Sequence, residues 1–71
     1  MATRMYKDRV LIWNADRDEK SGEWRPHVII SWTAEGQRRF HQMKGPLMMT
    51  REGAVKIARR LGQVWVDERQ N

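Results

Sequence analysis

Arginine, histidine and tryptophan recur at alternate positions in three short stretches of this chain. "YKDRVLIWN" holds Lys7, Arg9 and Trp13, "WRPHVIISW" holds Arg25 and His27, and "QRRFHQMK" holds Arg39 and His41. No nucleophile–base arrangement, glycine-rich phosphate loop or pair of carboxylates accompanies them, so catalysis is not expected. The chemistry open to them is recognition of an anion. Arginine contacts phosphates or pairs bidentately with a guanine edge, and an indole stacks on a base or sugar. His27 and His41 share a predicted parity on neighbouring strands, but a zinc ion needs three or four ligands and the face offers no carboxylate. "DRDE" at 16–19 lacks the glycine and distal glutamate of a calcium loop and reads as a solvated turn. No metal, no cofactor and no small-molecule substrate are therefore expected.

Charge supports the same chemistry. The 71 residues carry 14 Lys/Arg against 9 Asp/Glu, a net charge of +5. Residues 1–35 hold six of each sign, so the whole excess lies in residues 36–71. Such asymmetry points to a polyanionic partner, of which nucleic acid is the commonest, although many small domains are basic for solubility alone. A chain this short buries only about 60% of its unfolded surface and forms one thin core. It contains no cysteine, which excludes a disulfide or a thiolate metal site. No apolar leader and no membrane-spanning run is visible, so the expected setting is cytoplasmic, with no membrane partner.

The elements that must position these residues follow from pattern and punctuation. Residues 6–14 form a β-prone run around Val10, Leu11, Ile12 and Trp13. Residues 15–22 are a charged loop, and residues 23–33 are a second strand with Pro26 near its start. "AEG" at 34–36 turns the chain into a third strand at 37–43, built around Phe40. "GPLMM" breaks that strand. A helix is predicted over 51–68, with Thr50 as N-cap, Glu52 in the first turn and Met49 stapled onto Ala54. Its apolar stripe is Ala54, Ile57, Ala58, Leu61 and Trp65, with Val64 at the edge. Glu52, Lys56, Arg59, Arg60, Gln63 and Asp67 gather opposite. The stripe continues past Gly62, which favours an unbroken helix with a tolerated glycine. The other reading ends it at Gly62 and makes residues 63–67 a fourth strand.

The predicted fold is a single α+β domain over residues 1–71. It is a three-stranded antiparallel sheet with one C-terminal amphipathic helix packed on one face. Val10, Ile12, Val28, Ile30, Trp32 and Phe40 are expected to meet the helix. Strand alternation then assigns Lys7, Arg9, Leu11, Trp13, Arg25, His27, Ile29, Ser31, Arg39, His41 and Met43 to the open face. That face is basic, with an aromatic and several aliphatic groups. It reads either as a surface for duplex DNA, with Lys7, Arg9, Trp13, Arg25, His27, Arg39 and His41 as contacts, or as a homodimer or protein-interaction interface held by Leu11, Trp13 and Ile29.

Two resemblances follow from these stretches. "YKDRVLIW…GEWRPHVIIS…GQRRF…MTREGAVKIARRLGQVWVDE" resembles the small HlyU-like bacterial proteins: an opening "YKG"-type strand, a strand after a Gly-aromatic pair, and a Thr-x-x-x-Ala helix ending in Trp65, Val66 and Asp67. That resemblance implies a link to transcriptional activation. In architecture the chain looks like the DNA-binding domains of plant ethylene-response factors and the arm-binding domains of tyrosine recombinases. There an open sheet face enters the major groove, which would make Arg9, Trp13, Arg25 and Arg39 the readers.

Overall fold

The computed structural model describes residues 2–69. The chain is α+β: four antiparallel strands in the order β1 (Ala2–Tyr6), β2 (Arg9–Arg17), β3 (Trp24–Ala34), β4 (Gln37–Lys44), then α1 (Arg51–Arg69). The extra strand comes from the N-terminus. Tyr6 pairs with Arg9, so only Lys7 and Asp8 form the turn, and both have positive φ, 48° and 69°. Two successive left-handed residues make the mirror-image turn whose twist suits a hairpin. That turn normally advertises itself with Asn-Gly or Asp-Gly, and "KD" does not, so the expected strand at 6–14 hid a hairpin. Asp tolerates this conformation better than most residues, yet Gly adopts it with no Cβ penalty. Asp8→Gly is accordingly expected to raise stability by about 0.5–1 kcal/mol in urea unfolding.

The second hairpin fixes the parity of β4. Ala34 pairs with Gln37 across Glu35 and Gly36, again both at positive φ. The register that follows sets Arg39 opposite Trp32, His41 opposite Ile30 and Met43 opposite Val28. In β2, Leu11 lies opposite Ile30, Trp13 opposite Val28 and Ala15 opposite Pro26. The helix side of the sheet therefore holds Leu11, Trp13, Ala15, Pro26, Val28, Ile30 and Trp32. Of these, Leu11, Val28 and Ile30 are essentially inaccessible. Val10, Ile12 and Phe40, expected in the core, point the other way, while Leu11, Trp13 and Met43, expected on the open face, point inward. The parity of β3 is as its alternation predicted; β2 and β4 are each shifted by one residue, which exchanges faces for every side chain they carry.

The helix runs unbroken through Gly62 to Arg69, which excludes a strand at residues 63–67. Thr50 caps it: its Oγ1 accepts from the Gly53 amide at 3.0 Å and its carbonyl from the Ala54 amide at 3.1 Å. Met49 is 87% exposed and staples nothing. The bridge before the helix is instead Trp24 with Met48, whose amides and carbonyls exchange two bonds of 2.7 Å. The buried row is Ala54, Ala58, Gly62 and Val66, an i+4 ridge offset from the expected stripe, with Val55, Leu61 and Trp65 partly buried against the core. Small residues along that ridge let the helix settle close to β2 and β3, reaching β4 only at its edge. A Cβ on Gly62 would stand 3.0 Å from Val28 Cγ2 and 3.3 Å from Leu11 Cδ2. Gly62 is thus a close-approach position rather than a tolerated defect. No helix among the described residues is long and apolar enough to cross a membrane.

Candidate nucleic-acid interface

With the register known, the open face can be built row by row. Met5, Val10, Ser31 and Phe40 form one cross-strand row; Thr3, Ile12, Ile29 and Gln42 form the next. Asn14, His27 and Lys44 follow, then Asp16 with Arg25, while Thr33 and Arg38 lie beyond Phe40. The centre is apolar, with Met5 63% and Phe40 65% exposed. Arg25, His27, Arg38 and Lys44 border it, and Asp16 is the acid at one corner. Asp16 Oδ2 lies 3.6 Å from His27 Nδ1. Arg25 Nη1 donates to the Gly45 carbonyl at 2.8 Å, so this guanidinium helps to hold the segment after β4 and is only partly available to a partner. Ser31 Oγ and His27 Nε2 are buried between their neighbours without a hydrogen-bond partner.

Of the seven contact residues expected from sequence, the structure brings two, Arg25 and His27, to this face. Trp13 is a core residue, 9% exposed. Arg39 lies opposite Trp32 on the helix side, exposed at the sheet edge. Arg9 is also on the helix side, its guanidinium 4.6 Å from the centre of the Trp32 ring. His41 stacks on Trp65 at 4.5 Å; it is on the opposite face from His27, so the two histidines do not approach. Trp65 also meets Trp32 at 5.4 Å and carries Arg69 over its ring at 4.0 Å. These aromatic and cationic groups are engaged with one another beside the helix C-terminus, where cation–π contact adds stability. Sequence reasoning missed Arg38, Phe40, Gln42 and Lys44. The signal for them was the two-residue turn at Glu35 and Gly36, which ties the parity of β4 to that of β3.

Lys7 serves the fold. Its Nζ donates to Asp67 Oδ1 at 2.7 Å, and Tyr6 Oη donates to Asp67 Oδ1 and Oδ2 at 2.8 and 3.1 Å. Asp67, expected on the outer helix face, thus clamps the last helical turn onto the β1–β2 hairpin. An acid near a helix C-terminus opposes the dipole, and these donors offset that. The bonds from Lys7 and then Tyr6 hold the Asp67 carboxyl below its usual range, while the bond to Asp67 raises Tyr6 and Lys7 above theirs. A depressed carboxylate stabilises the fold above its ordinary pKa and loses that contribution as pH falls through the folded value. The raised Tyr and Lys contribute below their ordinary values and lose it as pH rises through the folded ones. The melting-temperature gap between the native chain and Asp67→Asn should therefore be widest near neutrality. It should narrow below about pH 4 and above about pH 10.

Among the described residues, no three His, Asp or Glu side chains gather as a metal site, and no enclosed cavity is present. Comparison with family models, curated proteins and solved structures finds no match.

Proposed function

We propose that this chain is a small non-catalytic module that binds nucleic acid through the open face of its sheet. The observation that carries the reading is the charge of that face: Arg25, Arg38 and Lys44 stand around an apolar centre, with Asp16 the one acid among the described strand residues on that side. Cations on a flat surface neutralise phosphates, and exposed apolar side chains between them contact bases and sugars. The HlyU-like outline of the sequence would extend this reading to a transcription-regulatory role in the cytoplasm.

The test is a salt series. Affinity for labelled nucleic acid should fall steeply with ionic strength, since each neutralised phosphate releases counterions. The double variant Arg38→Ala/Lys44→Ala should flatten the log–log slope by roughly 2 while leaving the melting temperature unchanged. Both side chains are exposed, which makes this pair cleaner than Arg25, with its bond to Gly45. No binding at low salt, or a slope indifferent to the double substitution, contradicts the reading.

A second reading has its own observation. Met5, Val10, Ile12, Ile29 and Phe40 give the face an apolar centre of the kind that marks protein association. In that case the face is covered by protein, and a concentration-dependent sedimentation mass should be lost on replacing Met5 and Phe40 with Ser.

A further inference from the structure

We propose that the polymer recognised is single-stranded, with a base stacked on Phe40 and phosphates held by Arg38 and Lys44. This rests on the nucleic-acid reading above and narrows it to one class of ligand. The first argument is the placement of Phe40. The residue is 65% exposed on an edge strand, away from the cluster in which Trp32, Trp65 and His41 contact one another's rings. The neighbour across the strand is Ser31, a small buried side chain, so the phenyl ring stands above its surroundings. A ring presented in this way is a platform that accepts any base.

The second argument is spacing. Arg38, Phe40, Gln42 and Lys44 alternate along β4 on one face, about 7 Å apart at each step. That step is similar to the length of one nucleotide in an extended strand. A cation, a ring, an amide and a second cation therefore follow one another at the pitch of the ligand. Gln42 presents a donor and an acceptor to a base edge.

The third argument is width. The sheet-based resemblances of the sequence imply entry into the major groove of a duplex by three strands. Four strands at about 4.8 Å separation put the outer strand axes about 14 Å apart before any side chain is added. The groove is about 12 Å wide. Face-on, a sheet of this breadth is wider than the groove it would have to enter, whereas unstacked bases spread readily on a broad surface. Charge also favours this occupant over a second copy of the chain. Two such faces laid together would oppose Arg25, Arg38 and Lys44 to their own equivalents, with Asp16 alone to offset them.

Fluorescence anisotropy with labelled oligo(dT), oligo(rU) and a mixed-sequence duplex tests this at low salt. Single strands should bind more tightly than duplex. Phe40→Ala should weaken single-strand binding about tenfold or more, as loss of a stacking ring does. Phe40→Leu should weaken it similarly, because it keeps apolar bulk but has no ring face, and Phe40→Trp should retain it. Matching thermal melts for the three variants keep the comparison on binding. Tighter binding to duplex, or full affinity in Phe40→Leu, overturns the single-strand assignment while leaving the nucleic-acid reading standing. Absence of binding to all three polymers overturns both. A concentration-dependent mass that Phe40→Ala abolishes, with no oligonucleotide bound, assigns the face to a second copy and also overturns the proposal.

Discussion

Replacing Leu11 with Ala should cost about 2–5 kcal/mol in urea unfolding, while Ile12→Ala should cost under about 1 kcal/mol. The two residues are adjacent, of equal size and in the same strand, so the contrast comes from parity alone. Leu11 is 1% exposed between the sheet and α1, paired with Ile30 and touching the position where a Gly62 Cβ would lie. Removing its branched end leaves a cavity that a small core cannot close cheaply. Ile12 is half-buried on the open face beside Ile29, where water refills the space. A domain of this length is stable by roughly 4–10 kcal/mol, so Leu11→Ala consumes a large share of the total. The opposite ranking would mean that β2 is turned over, and the site described above with it.

The second large effect belongs to Gly62. A larger side chain there must displace Val28 Cγ2 and Leu11 Cδ2, both on buried, tightly held residues. Gly62→Ala exchanges up to about 1 kcal/mol of helix propensity for crowding against those two methyl groups, and the net change should be small. Gly62→Leu has no such balance. It forces the helix off β2 and β3 and should cost about 3 kcal/mol or more by overpacking. Measuring the pair separates the two terms, since propensity alone predicts that both substitutions stabilise.

The parts of the fold legible in the sequence are those where polarity alternates or repeats cleanly. β3 reads correctly because Val28, Ile30 and Trp32 alternate with His27, Ile29 and Ser31 about the buried Pro26. The helix is legible in its cap at Thr50 and in its extent. Its rotation is less legible, because the small residues Ala54, Ala58 and Gly62 mark the closest approach while the larger Leu61 and Trp65 flank it. In β2 the run Val10–Trp13 is apolar at every position and carries no parity. The information lay just beyond it, where Asn14, Ala15 and Asp16 resume alternation and send Ala15, Trp13 and Leu11 inward. In β4 a lone Phe40 among polar residues looks like a core residue, but the tight turn at Glu35 and Gly36 overrides that preference.

Of the expected basic face, Arg25 and His27 lie on the open side of the sheet, where the β3 alternation puts them. Its other members lie on segments one residue out of phase with the expected parity: Lys7 and His41 brace the helix, Arg9 lies against Trp32, Trp13 fills the core and Arg39 is exposed at the sheet edge. Arg9 against Trp32, His41 against Trp65 and Lys7 on Asp67 are the chemistry of attachment. The surface that remains sets Arg38, Phe40, Gln42 and Lys44 beside Arg25 and His27, around an apolar centre that includes exposed Met5 and Phe40.

The most direct measurement is a methyl and backbone NMR titration of the intact chain with oligo(dT) at low salt. The methyl groups of Ile12 and Ile29 report the open face; those of Ile57 and Val64 report the helix. The account predicts shifts at Ile12 and Ile29, together with the amides of residues 38–44, and little movement at Ile57 and Val64. Shifts confined to the helix around Lys56, Arg59 and Arg60, or no shifts at all, would contradict it.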